Sequence, residues 1–226
     1  MSLGAPKCLI DIGGTSIIRR QVAAFRAAGV ERLILVVGYQ QDQVRRHLAD
    51  DPGPFTFVVN ERYAETNTIY SLYLTREHCG EGFFYANGDV VFDRQLTQRL
   101  AGPDSDGATR LAVKPGRCGQ EEVKVIVADG RIARIGKQLD PACALGEFVG
   151  VARFGREIIP AFRDTLTRCV EAEGIVGDHF EQAVDRLCVA GHLATPVDVG
   201  DLPCGEIDFA EDLRHARETI APRLIA

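Results

Sequence analysis

Apolar and polar positions along the chain fall into two textures that meet near residue 109. In the first, segments with helical spacing alternate with short apolar runs. "TSIIRRQVAAFRAAGV" sets Ile17, Ile18, Val22, Phe25 and Ala28 on one side of a helix, with Thr15 or Ser16 to cap its start and Gly29 to close it. "RLILVVGY" then reads as a buried parallel strand, "QDQVRRHL" as a short helix and "FTFVVN" as the next strand. "TIYSLYLTREHC" is helical, "GFFYANGDVVFD" is a strand broken at Gly88, and "DRQLTQRL" is helical again.

The second texture is richer in strands. "TRLAVKP", "EEVKVIVADGRIARIGK" and "GEFVGVARFG" predict antiparallel pairing, with Asp129-Gly130 as a two-residue hairpin. Two helices follow in "REIIPAFRDTLTRCVEAEG" and "DHFEQAVDRLCVAG", then a strand ending at "GEID" and a last helix in "FAEDLRHARETI". The expected fold class is α/β: a doubly wound, mostly parallel, Rossmann-like sheet, with a β-rich insertion forming one wall of a cleft. We read residues 1–226 as a single domain, 1–108 being a nucleotide-binding half and 109–226 the half that faces it.

Composition narrows the partners. The net charge of −6 is spread along the chain without a Lys/Arg block, which argues against nucleic acid. The longest apolar runs are strand-sized, well below the roughly 20 residues of a membrane helix. No signal-peptide pattern is visible, so the cytoplasm is the default expectation. The seven cysteines include no CxxC pair and read as reduced thiols, and the five histidines form no metal motif. Any metal is therefore expected on carboxylates.

Ligands of open parallel sheets sit beyond the carboxyl ends of the strands. Asn60, Asp89 and Asp208 hold such positions, and Gly88 lets the backbone at Asp89 approach a ligand closely. Two carboxylates plus substrate phosphates would suit Mg²⁺. Read alone, either aspartate also fits a turn or a helix cap. In "NERYAETNTIYSLYL" the amides can read a nucleobase edge, although Tyr70 and Tyr73 at helical spacing equally suit a core. Lysines 7, 124 and 137 are ordinary surface charges on composition alone, but Lys7 and Lys137 lie beside Pro or Gly near sheet edges, where an ammonium could meet a phosphate.

Seven segments taken in order, "PKCLIDIGG", "LILVVGY", "NERYAETNTIYSLYL", "NGDVVFD", "EEVKVIVADGRIARIGK", "GEFVGVARF" and "GEIDFAEDL", resemble the bacterial phosphocholine cytidylyltransferase family, within the sugar-phosphate nucleotidylyltransferases. The likeness runs from Pro6 to about Ala216. It implies cytidylyl transfer from CTP to a small phosphate or phosphonate monoester, with release of pyrophosphate. It also implies Lys7 on the nucleotide phosphates and Asp89 and Asp208 on Mg²⁺. Asn60, Asn67, Thr68, Ser71 and Gly88 would line the nucleotide pocket, and Lys124, Lys137, Glu147 and Gly150 the acceptor pocket. A sugar- or polyol-1-phosphate acceptor is the alternative, and a non-catalytic family member a second. Whether the protein forms a homo-oligomer is left open.

The resemblance also contains two departures. Family members open with a strand and a loop of the type LAAGxGxRL, which wraps the triphosphate, whereas this sequence begins at the segment that follows it. The expectation is a chain that starts inside its own active site, with weak transfer activity and an unfilled position in the sheet. The second departure is the absence of Trp, the best partner for a quaternary ammonium. Asp178 and Glu181 of "GDHFEQAV" would suit a primary amine better.

Overall fold

The computed structural model describes residues 4–102 and 107–224. The first helix, α1 (Ile17–Ala27), starts where the Ser16 hydroxyl accepts a bond from the Arg19 N–H, and it ends before Gly29, whose φ of 84° makes the left-handed turn. Then come β1 (Leu33–Val37), α2 (Gln41–His47) and β2 (Phe55–Val59), and β1 and β2 pair in parallel. Asn67 caps α3 (Thr68–Thr75), and Asp93 caps α4 (Arg94–Ala101) after β3 (Phe83–Ala86) and β4 (Val90–Phe92).

The β-rich half holds β5 (Thr109–Pro115), β6 (Lys124–Ala128), β7 (Arg131–Gly136) and β8 (Gly146–Phe154). Asp129 and Gly130 both adopt positive φ, 51° and 73°, as a primed hairpin turn between β6 and β7 requires. After α5 (Ile159–Thr167) and α6 (Glu181–Val189), β9 (Ala194–Asp198) pairs parallel to β5. Finally β10 (Cys204–Glu206) runs antiparallel to β4 and leads into α7 (Ala210–His215). The largest sheet has the order β7-β6-β8-β5-β9, with β3 on β8.

Helices cover both faces of this sheet. On β5, Leu111 and Val113 join the core beneath α3, α5 and α6, while Ala112 between them joins the core with α1, α2 and α4. That is the period-two alternation of a strand buried on both sides. The α/β class and doubly wound build expected from the sequence are present, with parallel pairing of β1 with β2 and of β5 with β9, and antiparallel pairing of β3, β5 and β6 with β8, of β6 with β7 and of β4 with β10. Among the described residues, β1 pairs only with β2 and β3 only with β8. Their other edges face a cavity of about 1140 Å³, lined by Leu33–Val37 on one side and Phe83–Ala86 on the other. Unpaired strand edges and apolar side chains thus wall the cavity. No described helix is long and apolar enough to cross a membrane.

Candidate active site

The mouth of this cavity lies where the strands end. Asp89 sits in the turn between β3 and β4, and Asp208 just beyond β10. Their carriers are joined directly, because the Ile207 N–H donates to the Asp89 carbonyl at 3.1 Å. Asp208 does not cap α7: the Asp212 carboxylate accepts from the N–H groups of Asp208 and Phe209 at 3.0 and 2.7 Å. The Asp208 side chain is thereby left for the cavity. Lys7 donates to Asp208 at 2.6 Å and to Asp89 at 3.2 Å.

A third carboxylate completes the group. Asp89, Glu206 and Asp208 each offer an oxygen within 4.8 Å of the others. Glu206 is exposed on the cavity wall, and partial desolvation there, then the charges of Asp89 and Asp208, push its carboxyl up to about 7. Burial works against the Lys7 ammonium, but its bond to Asp208 and the charge of Asp89 hold it above the ordinary lysine value. Three clustered acids repel one another, and either a proton or a cation between them relieves this. The Lys7 ammonium already stands among them, and an all-oxygen donor set fits a hard divalent ion such as Mg²⁺. Beside them Cys8 is no nucleophile, since burial pushes its thiol up to about 11.

On the far wall, Lys137 follows β7, and His179 and Glu181 lie at the start of α6. Glu181 is 5% exposed, and its Oε2 has no hydrogen-bond partner among the described residues. Burial pushes its carboxyl up to about 7, against a backbone hydrogen bond and the charge of Lys137. The folded protein thus holds a proton that the unfolded chain releases near 4.5. Stability from this group is full below about 4.5 and is lost as pH rises through about 7. Glu181→Gln should therefore raise the melting temperature little at pH 5 and clearly at pH 8, where the relief is up to about 3 kcal/mol. Paired thermal melts at the two pH values check it; an equal gain at both would place the effect elsewhere.

Lys7, Asp89 and Asp208 are brought together, and Asn67, Thr68, Ser71, Gly88, Lys137 and Glu181 line the same cavity. Asn67 and Thr68 also have structural work. The Asn67 side chain accepts from the Thr68 N–H, and the Thr68 hydroxyl accepts from the Phe180 N–H at 2.9 Å, fastening α3 to the segment before α6.

The remaining candidates lie elsewhere. Asn60 is buried and organises its own loop, donating to Thr66 and accepting from the Arg62 N–H. Lys124 is fully buried and donates at 2.6 Å to the carbonyls of both Gln120 and Lys137, so it reaches the site only by holding the Lys137 backbone. Glu147 is half-buried opposite Lys124, its carboxyl raised by burial and by Glu122. Gly150 has φ 76°, and a Cβ there would come 2.8 Å from the Asn87 side-chain nitrogen, so it is a close-packing position under the Asp89 turn. Asp178 is exposed, and its carbonyl accepts from the Ile69 N–H.

Two residues escaped the sequence reading although a signal existed. Glu206 stands two positions before Asp208 in "GEID", on the same side of an extended segment. Gln21 interrupts the apolar stripe of α1 between Ile18 and Val22.

Strand-end carboxylates therefore surround an ammonium, in an α/β sheet with helices on both faces. Residues 1–169 match the MobA-like NTP transferase domain, and the chain belongs to that family. A 2-aminoethylphosphonate cytidylyltransferase of Lancefieldella rimae is 36% identical over 187 residues, which cover 78% of this chain and 73% of that protein. A CMP-5'-(3-aminopropyl)phosphonate synthase of Streptomyces rubellomurinus is 29% identical over 230 residues, which cover 96% of this chain and 36% of that protein. Among solved structures, the CTP:phosphocholine cytidylyltransferase of Streptococcus pneumoniae has a TM-score of 0.80 over 95% of this chain and 89% of its own, with 18% identity, a likeness of fold. The chain spans between 27% and 60% of the length of several curated relatives it matches.

Proposed function

We propose that the protein transfers a cytidylyl group from CTP to a small aminoalkyl phosphonate or phosphate, releasing pyrophosphate. The observation that carries this reading is the placement of the Lys7 ammonium between Asp89 and Asp208, with Glu206 alongside, at the carboxyl end of the sheet. The relatives of Lancefieldella and Streptomyces, named for aminoalkylphosphonate substrates, support the choice of acceptor.

An acceptor oxygen attacks the α-phosphorus of CTP, and the bond from that phosphorus to the bridging oxygen of pyrophosphate breaks. No covalent bond to the protein is required. Rate comes from alignment and from charge placed where charge develops. Asp89 and Asp208, with Glu206, would hold Mg²⁺, which when bound offsets the negative charge of the phosphates. Lys7, which donates to both aspartates, would neutralise the triphosphate beside them, and Lys137 would take the phosphonate of the acceptor. Glu181 receives the ammonium at the other end of the acceptor. On this reading residues 1–108 serve the nucleotide, joined at the cation by Glu206 and Asp208, and the rest of 109–226 serves the acceptor.

The test is pyrophosphate release from CTP and other triphosphates with a panel of acceptors. Turnover with CTP and 2-aminoethylphosphonate or phosphoethanolamine is expected. Release only with a sugar- or polyol-1-phosphate would move the acceptor class, and no release or nucleotide binding with any pair would remove the enzyme reading.

A further inference from the structure

We infer that Gln21 is the positioning residue of the cation site: its side-chain amide pins both flanks of the turn that carries Asp89. The inference rests on the reading that Asp89 and Asp208 hold a divalent cation.

Gln21 lies on the buried stripe of α1 and is 8% exposed. Its Nε2 donates to the Asn87 carbonyl at 2.8 Å and to the Val90 carbonyl at 2.7 Å. One amide group therefore straddles Gly88 and Asp89, using both of its N–H bonds on backbone that lies on either side of the carboxylate. Other contacts complete the clamp. The Asn87 N–H donates to the Gly150 carbonyl at 2.9 Å, the Tyr85 hydroxyl donates to the Asn87 side-chain oxygen at 2.5 Å, and Ile207 holds the Asp89 carbonyl from the β10 side.

Of these anchors, Gln21 is the only one contributed by α1, and it backs the turn's own closing bond, in which the Val90 N–H donates to the Asn87 carbonyl at a long 3.4 Å. A glycine at position 88 makes that turn soft. Without the clamp, Asp89 would sample positions away from Asp208 and Glu206, and cation binding would have to order the turn first. Residues behind metal ligands typically tune metal affinity by about 10- to 100-fold in this way. A Gln that merely satisfied two buried carbonyls would affect stability alone.

Mn²⁺ binding, followed by the loss of the free-ion electron paramagnetic resonance signal, separates these roles without recourse to activity. Gln21→Met keeps the volume and removes both donors; Gln21→Glu keeps the shape and leaves at most the single O–H of its protonated form to donate, so one flank of the turn loses its partner. Each should raise the Mn²⁺ dissociation constant about tenfold. Ile159→Val, a core change in the other half, should lower the melting temperature with no effect on Mn²⁺. Should neither Gln21 variant fold, the side-chain amide resonances of Gln21 in the unaltered protein should shift on Mg²⁺ addition, along the same curve as the Asp89 amide. A folded Gln21 variant within twofold of the unaltered dissociation constant, or Gln21 resonances indifferent to Mg²⁺, would overturn the inference. If Asp89→Asn binds Mn²⁺ as well as the unaltered protein, or that protein binds none, the underlying cation reading fails and the inference falls with it.

Discussion

Asp89→Asn and Asp208→Asn are each expected to lower the rate of cytidylyl transfer by about 10² to 10³-fold, the range seen when one preorganised electrostatic group is removed from a reaction centre. Either change takes a charged oxygen ligand from a site whose other members are Glu206 and the remaining aspartate. The fold should survive. Asp89 and Asp208 are partly exposed, neither caps a helix, and losing one of three crowded carboxylates relieves repulsion even as one bond to Lys7 is lost. Melting temperatures should accordingly stay within a few degrees of the unaltered protein, on a scale of about 2–4 °C per kcal/mol for a chain of this size. The measurement is pyrophosphate release at saturating Mg²⁺ beside a thermal melt of the same sample. Near-normal rates in either variant would return that aspartate to a purely structural role.

The parts of this site that were legible in the sequence are those fixed by local pattern. Asp89 follows an apolar strand through Gly88, and Asp208 follows another through "GEI", so the rule that ligands gather at strand ends was enough to select both. Pattern could not show that Asp212 caps α7 and leaves Asp208 to the cavity, because "DFAED" offers more than one acid at capping range. Lys124 shows the opposite case. A lysine in a strand beside "EEV" reads as a surface charge or an anion ligand, but its ammonium is consumed by two backbone carbonyls whose positions depend on the β6–β7 hairpin and the loop before it. Asn60 was likewise drawn inward by its own loop. The two candidate acids near the start of α6 meet different outcomes: Asp178 lies outside the helix and is exposed, whereas Glu181 begins α6 and is buried. Helix rotation is a tertiary quantity, and three residues of spacing do not determine it.

That difference decides what the acceptor site should prefer. Glu181 keeps one carboxylate oxygen buried and without a partner, which is costly unless a ligand supplies a donor. A primary ammonium can donate to it; a trimethylammonium has no N–H and would leave it as it is. Phosphoethanolamine is therefore expected to outcompete phosphocholine by about one to two decades in kcat/KM, the equivalent of a charge-assisted bond of about 1.5–3 kcal/mol. Glu181→Gln should erase most of that ratio, chiefly by raising KM for the amine, while phosphocholine changes little. The ratio should also depend on pH in a definite sense. Below about 7 the Glu181 carboxyl is protonated, and above it the carboxylate is available to the ammonium, so preference for the amine should grow as pH rises from 6 to 8 and then level off. Both acceptors carry the same phosphate ester, whose second ionisation falls near pH 6 and cancels in the ratio. Competing the two acceptors in one reaction at several pH values measures it directly. Equal use of both, a preference for phosphocholine, or a ratio flat across that range would show that Glu181 does not meet the amine.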